Sequence, residues 1–204
     1  MSMFILNVRT AWNDYFPSTS TTILNPQTYN SRQTPSNTGV YVSNCLFASI
    51  TTSSAGGALY FSTSTQYLLV ESTSFFSCKT SSNVGAIYFT NTNNGQCVLY
   101  AVCGYDCCTT SGYNTHFTYI RVYNTVSSKN YVNYSSISRC VSVNTYYTLE
   151  LGCGNVCCPS INMSMNKCCG RTGIFCWPTS DSNSVTCSLT YSSFADNDAV
   201  YYTC

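Results

Sequence analysis

The sequence predicts an all-β protein, and more narrowly a parallel β-helix. Three observations carry that prediction: an internal repeat, a composition poor in charge but rich in strand formers, and short apolar runs divided by turn residues. Gly57-Ala58-Leu59-Tyr60-Phe61 returns as Gly85-Ala86-Ile87-Tyr88-Phe89, an offset of 28 residues. The same offset lays Phe47 on Phe75, Ser49 on Ser77 and Thr52-Ser53-Ser54 on Thr80-Ser81-Ser82. Internal periods of this size are the mark of a solenoid.

Only 7% of the 204 residues are Asp, Glu, Lys or Arg, against a usual value of about 25%. Ser, Thr, Asn and Tyr must supply the polar surface instead. Thr and Tyr suit a pleated sheet, while Ser and Asn compete for backbone hydrogen bonds inside helices.

Taken in order, residues 1–39 stand apart as a cap or leading segment, and residues 40–204 as the β-helix. The first part carries Pro17, Pro26 and Pro35 and lacks the glycine motif. Phe4, Val8, Ala11, Trp12 and Tyr15 fall on one helical face, which suits a segment covering the open end of a stack. A first short strand over Phe4 to Val8 is the other reading. From Gly39 onward, strand-like runs alternate with turns: Val40 to Val42, Ala58 to Phe61, Tyr67 to Val70, Ala86 to Phe89, Cys97 to Val102, Phe117 to Tyr123, Tyr146 to Leu151, Gly173 to Cys176 and Val185 to Leu189.

Two or three such runs per repeat, with no helical pattern between them, read as coils. About six coils fit after residue 40, in a stack on the order of 28 Å tall. Equivalent residues of successive coils then form ladders, with Phe47 on Phe75, Leu59 on Ile87 and Tyr60 on Tyr88. The glycines are expected at corners that need a backbone angle cheap only for Gly. A β-sandwich would instead need hairpins with Asn-Gly or Asp-Gly turns, and Asn94-Gly95 is the only such dipeptide.

Gly56-Gly57-Ala58-Leu59, Val84-Gly85-Ala86-Ile87 and Phe194-Ala195-Asp196-Asn197 resemble the paired GGA[ILV] and FxxN repeats of the polymorphic outer-membrane proteins (Pmp repeats). Phe75-Phe76-Ser77-Cys78 keeps the FxxN spacing with Cys in place of Asn. The Cys-rich, Ser/Thr-rich versions in surface proteins of parasitic protists are the most similar. The resemblance is clear over residues 40–110, weak through 111–180 and partial near 184–200. It implies a right-handed parallel β-helix and a cell-surface or extracellular, adhesive role.

The eight basic residues are scattered singly, which argues against a nucleic-acid site. Near-zero net charge leaves self-association through open solenoid ends physically reasonable. No run of about 18 apolar residues offers a membrane span, and the first nine residues make a poor export signal. Fifteen cysteines point to an oxidising compartment, with an odd count. Asn133-Tyr134-Ser135 and Asn162-Met163-Ser164 fit the N-glycosylation pattern.

Cys103-Gly104-Tyr105-Asp106-Cys107-Cys108 recurs as Cys153-Gly154-Asn155-Val156-Cys157-Cys158, and Arg139-Cys140 as Lys167-Cys168. Three readings stand: an interior ladder of thiols, disulfides between coils, or a tetrahedral metal site. Adjacent cysteines on a strand face opposite ways, so one of each pair, Cys107-Cys108, Cys157-Cys158 and Cys168-Cys169, is expected to face inward.

Catalysis on a polysaccharide would need clustered carboxylates. Asp196 and Asp198 are the nearest pair, expected in a solvated turn, and His116 is expected to be solvated beside Phe117. No catalytic, cofactor or metal residue is assigned from these patterns. The eighteen tyrosines, Tyr146-Tyr147 and Tyr201-Tyr202 among them, favour outward aromatic rows that bind protein or carbohydrate on a host or neighbouring cell, or simply cover the sheets. The expected function is a non-enzymatic adhesion or interaction module. The alternatives are a pectate-lyase-like enzyme acting on polysaccharide and a truncated copy without function.

Overall fold

The computed structural model describes residues 12–17, 21–110, 115–142, 146–181 and 183–199. Phe4 to Val8, Ala11, Tyr201-Tyr202 and Cys204 lie outside them. The fold is an all-β parallel solenoid in which each coil runs through three main walls. Wall A stacks seven strands, Thr21–Leu24, Gly39–Ser43, Tyr67–Glu71, Gln96–Tyr100, Lys129–Asn133, Asn155–Pro159 and Cys187–Thr190. Wall B stacks seven shorter ones, Thr28–Tyr29, Leu46–Ala48, Ser74–Phe76, Cys103–Tyr105, Ser136–Ser138, Asn162–Ser164 and Ser193–Ala195. Wall C has five, Leu59–Phe61, Ile87–Thr90, Thr115–Arg121, Tyr147–Gly152 and Arg171–Trp177. A short wall D lies between B and C, formed by Thr51–Thr52, Lys79–Thr80 and Cys108–Thr109, with Lys167–Cys168 and Asp198–Ala199 paired further along.

The expected ladders form. Phe47 stacks on Phe75 at 5.0 Å between ring centres, Tyr60 on Tyr88 at 5.3 Å, and Leu59 pairs with Ile87. The turn at Asn91 to Gly95 joins wall C to wall A rather than closing a hairpin, and buried Asn91 holds it by bonding the carbonyls of Thr63 and Thr65.

Two corners recur in each coil from Gly39–Ser43 onward, and neither uses glycine. Asn44, Ser72, Ala101, Tyr134, Ser160 and Tyr191 turn the chain from A to B, each with φ between 47° and 55° in the left-handed region. Ser49, Ser77, Asp106, Arg139, Met165 and Asp196 turn it out of B, always five residues later. Fixed corner spacing holds the six wall B strands from Leu46–Ala48 onward to three residues with one residue inward, at Phe47, Phe75, Gly104, Ile137, Met163 and, less buried, Phe194.

The glycine expectation is therefore corrected. Gly56 does adopt φ +66°, but Gly57 and Gly85 do not need a left-handed angle. A Cβ on Gly57 would lie 2.0 Å from the Gly85 carbonyl oxygen, so this glycine permits close approach of successive coils. Gly57→Ala is expected to cost about 2 kcal/mol, because the clashing atom is backbone and cannot rotate away. A urea midpoint shift without a change in slope would check it.

The other two echoes are also corrected. Successive A-to-B corners advance by 28, 29, 33, 26 and 31 residues, so a constant offset stops matching after the early coils. Lys167 pairs with Val141, not Arg139. Cys103 lies on wall B, whereas Cys153 sits at the bend before wall A, so the two CGxxCC segments occupy different walls.

The solenoid also starts ahead of the boundary at residue 39, since Thr21–Leu24 already pairs in parallel with Gly39 to Val42. The helix preceding it, Trp12–Tyr15, is not seated on an open end. Trp12 and Phe16 pack against Tyr41, Leu69 and Val98 on the outer side of wall A. That outward row is apolar, and covering it removes more apolar surface from water than leaving it exposed would allow.

Candidate interaction faces

The outer side of wall B follows directly from the corner geometry. Its two outward rows are Leu46, Ser74, Cys103, Ser136, Asn162, Ser193 and Ala48, Phe76, Tyr105, Ser138, Ser164, Ala195. Neither row holds Asp, Glu, Lys or Arg. Leu46 is 38% exposed, Phe76 49% and Tyr105 38%. The Phe76 and Tyr105 rings lie nearly parallel, 5.3 Å apart, and the Arg139 guanidinium stands 5.9 Å from the Tyr105 ring centre. The result is a flat strip, aromatic and aliphatic in the early coils and hydroxyl-rich in the later ones.

Wall C presents a second row, Tyr60, Tyr88, Tyr119, Glu150 and Phe175, in register. Tyr88 stacks on Tyr119 at 5.2 Å, and Arg32 covers the free face of Tyr60 at 4.7 Å. Because the rings use their faces on one another, they offer edges and hydroxyls to solvent. Burial pushes the Tyr88 and Tyr119 hydroxyls above their ordinary range, so they remain donors at neutral pH. Glu150 is also raised by burial, although the Thr115 hydroxyl donates to it at 2.9 Å and works the other way. Arg121 lies over the Trp177 ring at 4.7 Å.

The cysteines form interior ladders where coils superimpose. Cys78, Cys107 and Cys140 occupy one position, the first inward residue after the B corner, and all three are fully buried. Cys78 donates to the Phe47 carbonyl at 3.6 Å and Cys107 to that of Phe75 at 3.5 Å. Burial drives the Cys107 and Cys140 thiols well above their usual range. In the next two coils Asn takes the same place: Asn166 donates to the Ile137 carbonyl at 3.0 Å, and Asn197 to that of Met163 at 2.9 Å. This accounts physically for FxxN and its Cys variant. The first position is inward on wall B, the third is the left-handed corner, and the fourth returns a polar hydrogen to the neighbouring coil.

Inward and outward alternation holds at Cys157-Cys158 and Cys168-Cys169; at Cys107-Cys108 both side chains are buried, but only Cys107 joins the interior cluster, while Cys108 lies in register with Lys79 on wall D. Among the described residues, no three His, Cys, Asp or Glu side chains come together as a metal set.

His116 is not solvated. A bulge in wall C between Thr115 and Thr118 turns it into the interior, where its Nε2 lies 2.9 Å from the Lys167 carbonyl oxygen. Burial lowers its pKa to about 4, outweighing the pull of the Lys167 and Ser142 carbonyls towards the charged form. Asp196 is exposed at a corner as expected of a turn, but Asp198 belongs to a paired strand and forms an ion pair with Lys167 at 2.6 Å. A groove of about 810 Å³ near the last coil includes Asp196 and Asn197 in its lining, with Phe175, Cys176, Leu189 and Phe194. Asp198 is not in that lining. Of the two glycosylation triplets, Asn133 is buried and Asn162 is exposed.

Sequence reasoning missed the wall B strip, because strands of three Ser-rich residues leave no apolar run. The available signal was the inward-x-corner-[Cys/Asn] spacing repeated at unequal intervals. Among the described residues, no helix is long and apolar enough to cross a membrane. Comparison with protein-family models, curated proteins and solved structures finds no match for this chain.

Proposed function

We propose that the chain is a non-enzymatic interaction module of a cell-surface or extracellular protein, and that it docks a protein partner on the outer side of wall B. The observation that carries this is an uncharged, flat strip exposing Leu46, Phe76 and Tyr105 beside Arg139. Protein interfaces favour aromatic residues and Arg at their centres and exclude Lys, Glu and Asp there. The Pmp-like repeats support surface display.

Carbohydrate is a second reading, supported by the hydroxyl row of wall C, although stacking of Tyr60, Tyr88 and Tyr119 leaves few ring faces for a sugar. The test is binding of the labelled chain to intact host or neighbouring cells. Phe76→Ala with Tyr105→Ala should weaken binding at least tenfold, as expected for central aromatic anchors. Tyr88→Ala should leave it unchanged, and protease treatment of the cells should abolish it. Loss with Tyr88→Ala and after glycan removal would transfer the site to wall C. Cleavage of a polysaccharide by the chain would replace both readings with the enzymatic one.

A further inference from the structure

Cys176 and Cys187 occupy inward positions on either side of the corner that joins Arg171–Trp177 of wall C to Cys187–Thr190 of wall A. On wall C the inward ladder runs Phe61, Phe89, Ile120, Leu151 and Cys176. On wall A it runs Val40, Leu68, Cys97, Asn130, Val156 and Cys187. Earlier corners are therefore filled by pairs such as Phe61 with Leu68 and Leu151 with Val156. Among the described residues, this corner alone has a thiol on both sides. The two side chains are near enough to interact electrostatically, and both are free thiols. Cys187 is exposed, and Cys176 lines the 810 Å³ groove.

We propose that Cys176 and Cys187 form a redox-responsive disulfide that links wall C to wall A across this corner. A covalent link there closes the loop between Arg171–Trp177 and Cys187–Thr190. The oxidant is a low-molecular-weight disulfide such as glutathione disulfide. The exposed Cys187 thiolate attacks it, taking one glutathionyl sulfur and releasing one glutathione thiol. Cys176 then loses its proton to solvent and attacks the Cys187 sulfur, expelling the second glutathione. Two protein thiols give up two protons and two electrons, and one small disulfide becomes two thiols. Burial raises the Cys176 thiol, so the second step is the slower and accelerates with pH. Cys158 is the competing thiol, being inward on the neighbouring ladder and close enough to interact with both.

The experiment equilibrates the folded chain in glutathione buffers of increasing oxidised fraction, quenches with acid, alkylates and maps peptides by mass spectrometry. The expected product joins the peptides containing Cys176 and Cys187, lighter by two hydrogens, while Cys78, Cys107 and Cys140 react only after denaturation. The oxidised chain should melt roughly 5–10 °C above the reduced one, the increment expected for closing a short loop. Cys187→Ser should remove that difference while leaving the reduced melting temperature unchanged. Cys158→Ala should leave the link intact, and if that variant fails to fold, the wild-type peptide map decides alone. Alkylation of Cys187 at every redox ratio, a link from either residue to Cys158, or a glutathione adduct that never resolves would each overturn the proposal.

Discussion

Replacing Phe75 by Ala should destabilise the chain by about 4 kcal/mol, within the range for emptying a buried Phe site. Phe75 is almost wholly buried between Phe47, stacked at 5.0 Å, and Phe117, edge-on at 5.8 Å. The coil below cannot collapse into the gap. It has Gly104 in that ladder, and the Phe117 ring already fills the space, since a Cβ on Gly104 would meet it at 2.4 Å. Phe76 is the adjacent residue with the same composition, but it points outward. Phe76→Ala should cost less than about 1 kcal/mol, as surface changes usually do. Equilibrium urea unfolding of the two variants compares the sides of one strand, and equal losses would contradict the orientation described. Because coils contact only their neighbours, the Phe75 variant should also lose cooperativity, broadening or splitting the transition.

Acidification should weaken the fold through His116. Its folded-state pKa is lowered to about 4 from an ordinary 6.5, so the unfolded chain binds the proton more readily. Stability attributable to this residue is intact above pH 6.5, declines as pH falls from 6.5 towards 4, and is level below that. The full difference is about 3 kcal/mol, using 1.36 kcal/mol per pKa unit. His116→Gln keeps a polar group near the Lys167 carbonyl and cannot take up the proton. The variant is expected to be less stable at pH 7.5 yet to show a flatter profile down to pH 4. Carboxylates such as Glu150 titrate in both proteins, so the difference between the two urea midpoints isolates His116. Parallel profiles would mean that His116 is accessible to protons in the folded state.

The candidate sites were legible to unequal degrees. The Cys-for-Asn exchange at Cys78 was visible as spacing, and the structure explains it through one shared carbonyl acceptor per coil. His116 was read as solvated because its neighbours look like a turn; a bulge in wall C puts it inside instead. The Asp196 and Asp198 pair was readable as two carboxylates, but the ion pair of Asp198 with Lys167 depends on a strand contact across 31 residues. Wall B offered no hydrophobic run to find, and its uncharged strip exists only because coils of unequal length keep their corners aligned.

By itself, the sequence determined the all-β class, the parallel stacking and the early ladders. Adjacent coils give equivalent positions the same neighbours, so Phe47 and Phe75, or Leu59 and Ile87, answer the same demand and the echo survives in the chain. Tertiary structure alone decided which face stays open, why Gly57 must lack a side chain, where the N-terminal segment lies and which thiols meet. Each of these depends on contacts between coils, and those contacts are set by loop lengths that vary from one coil to the next. A loop longer by a few residues leaves the walls in register while displacing every later residue from the sequence period, so the period fades although the stack continues.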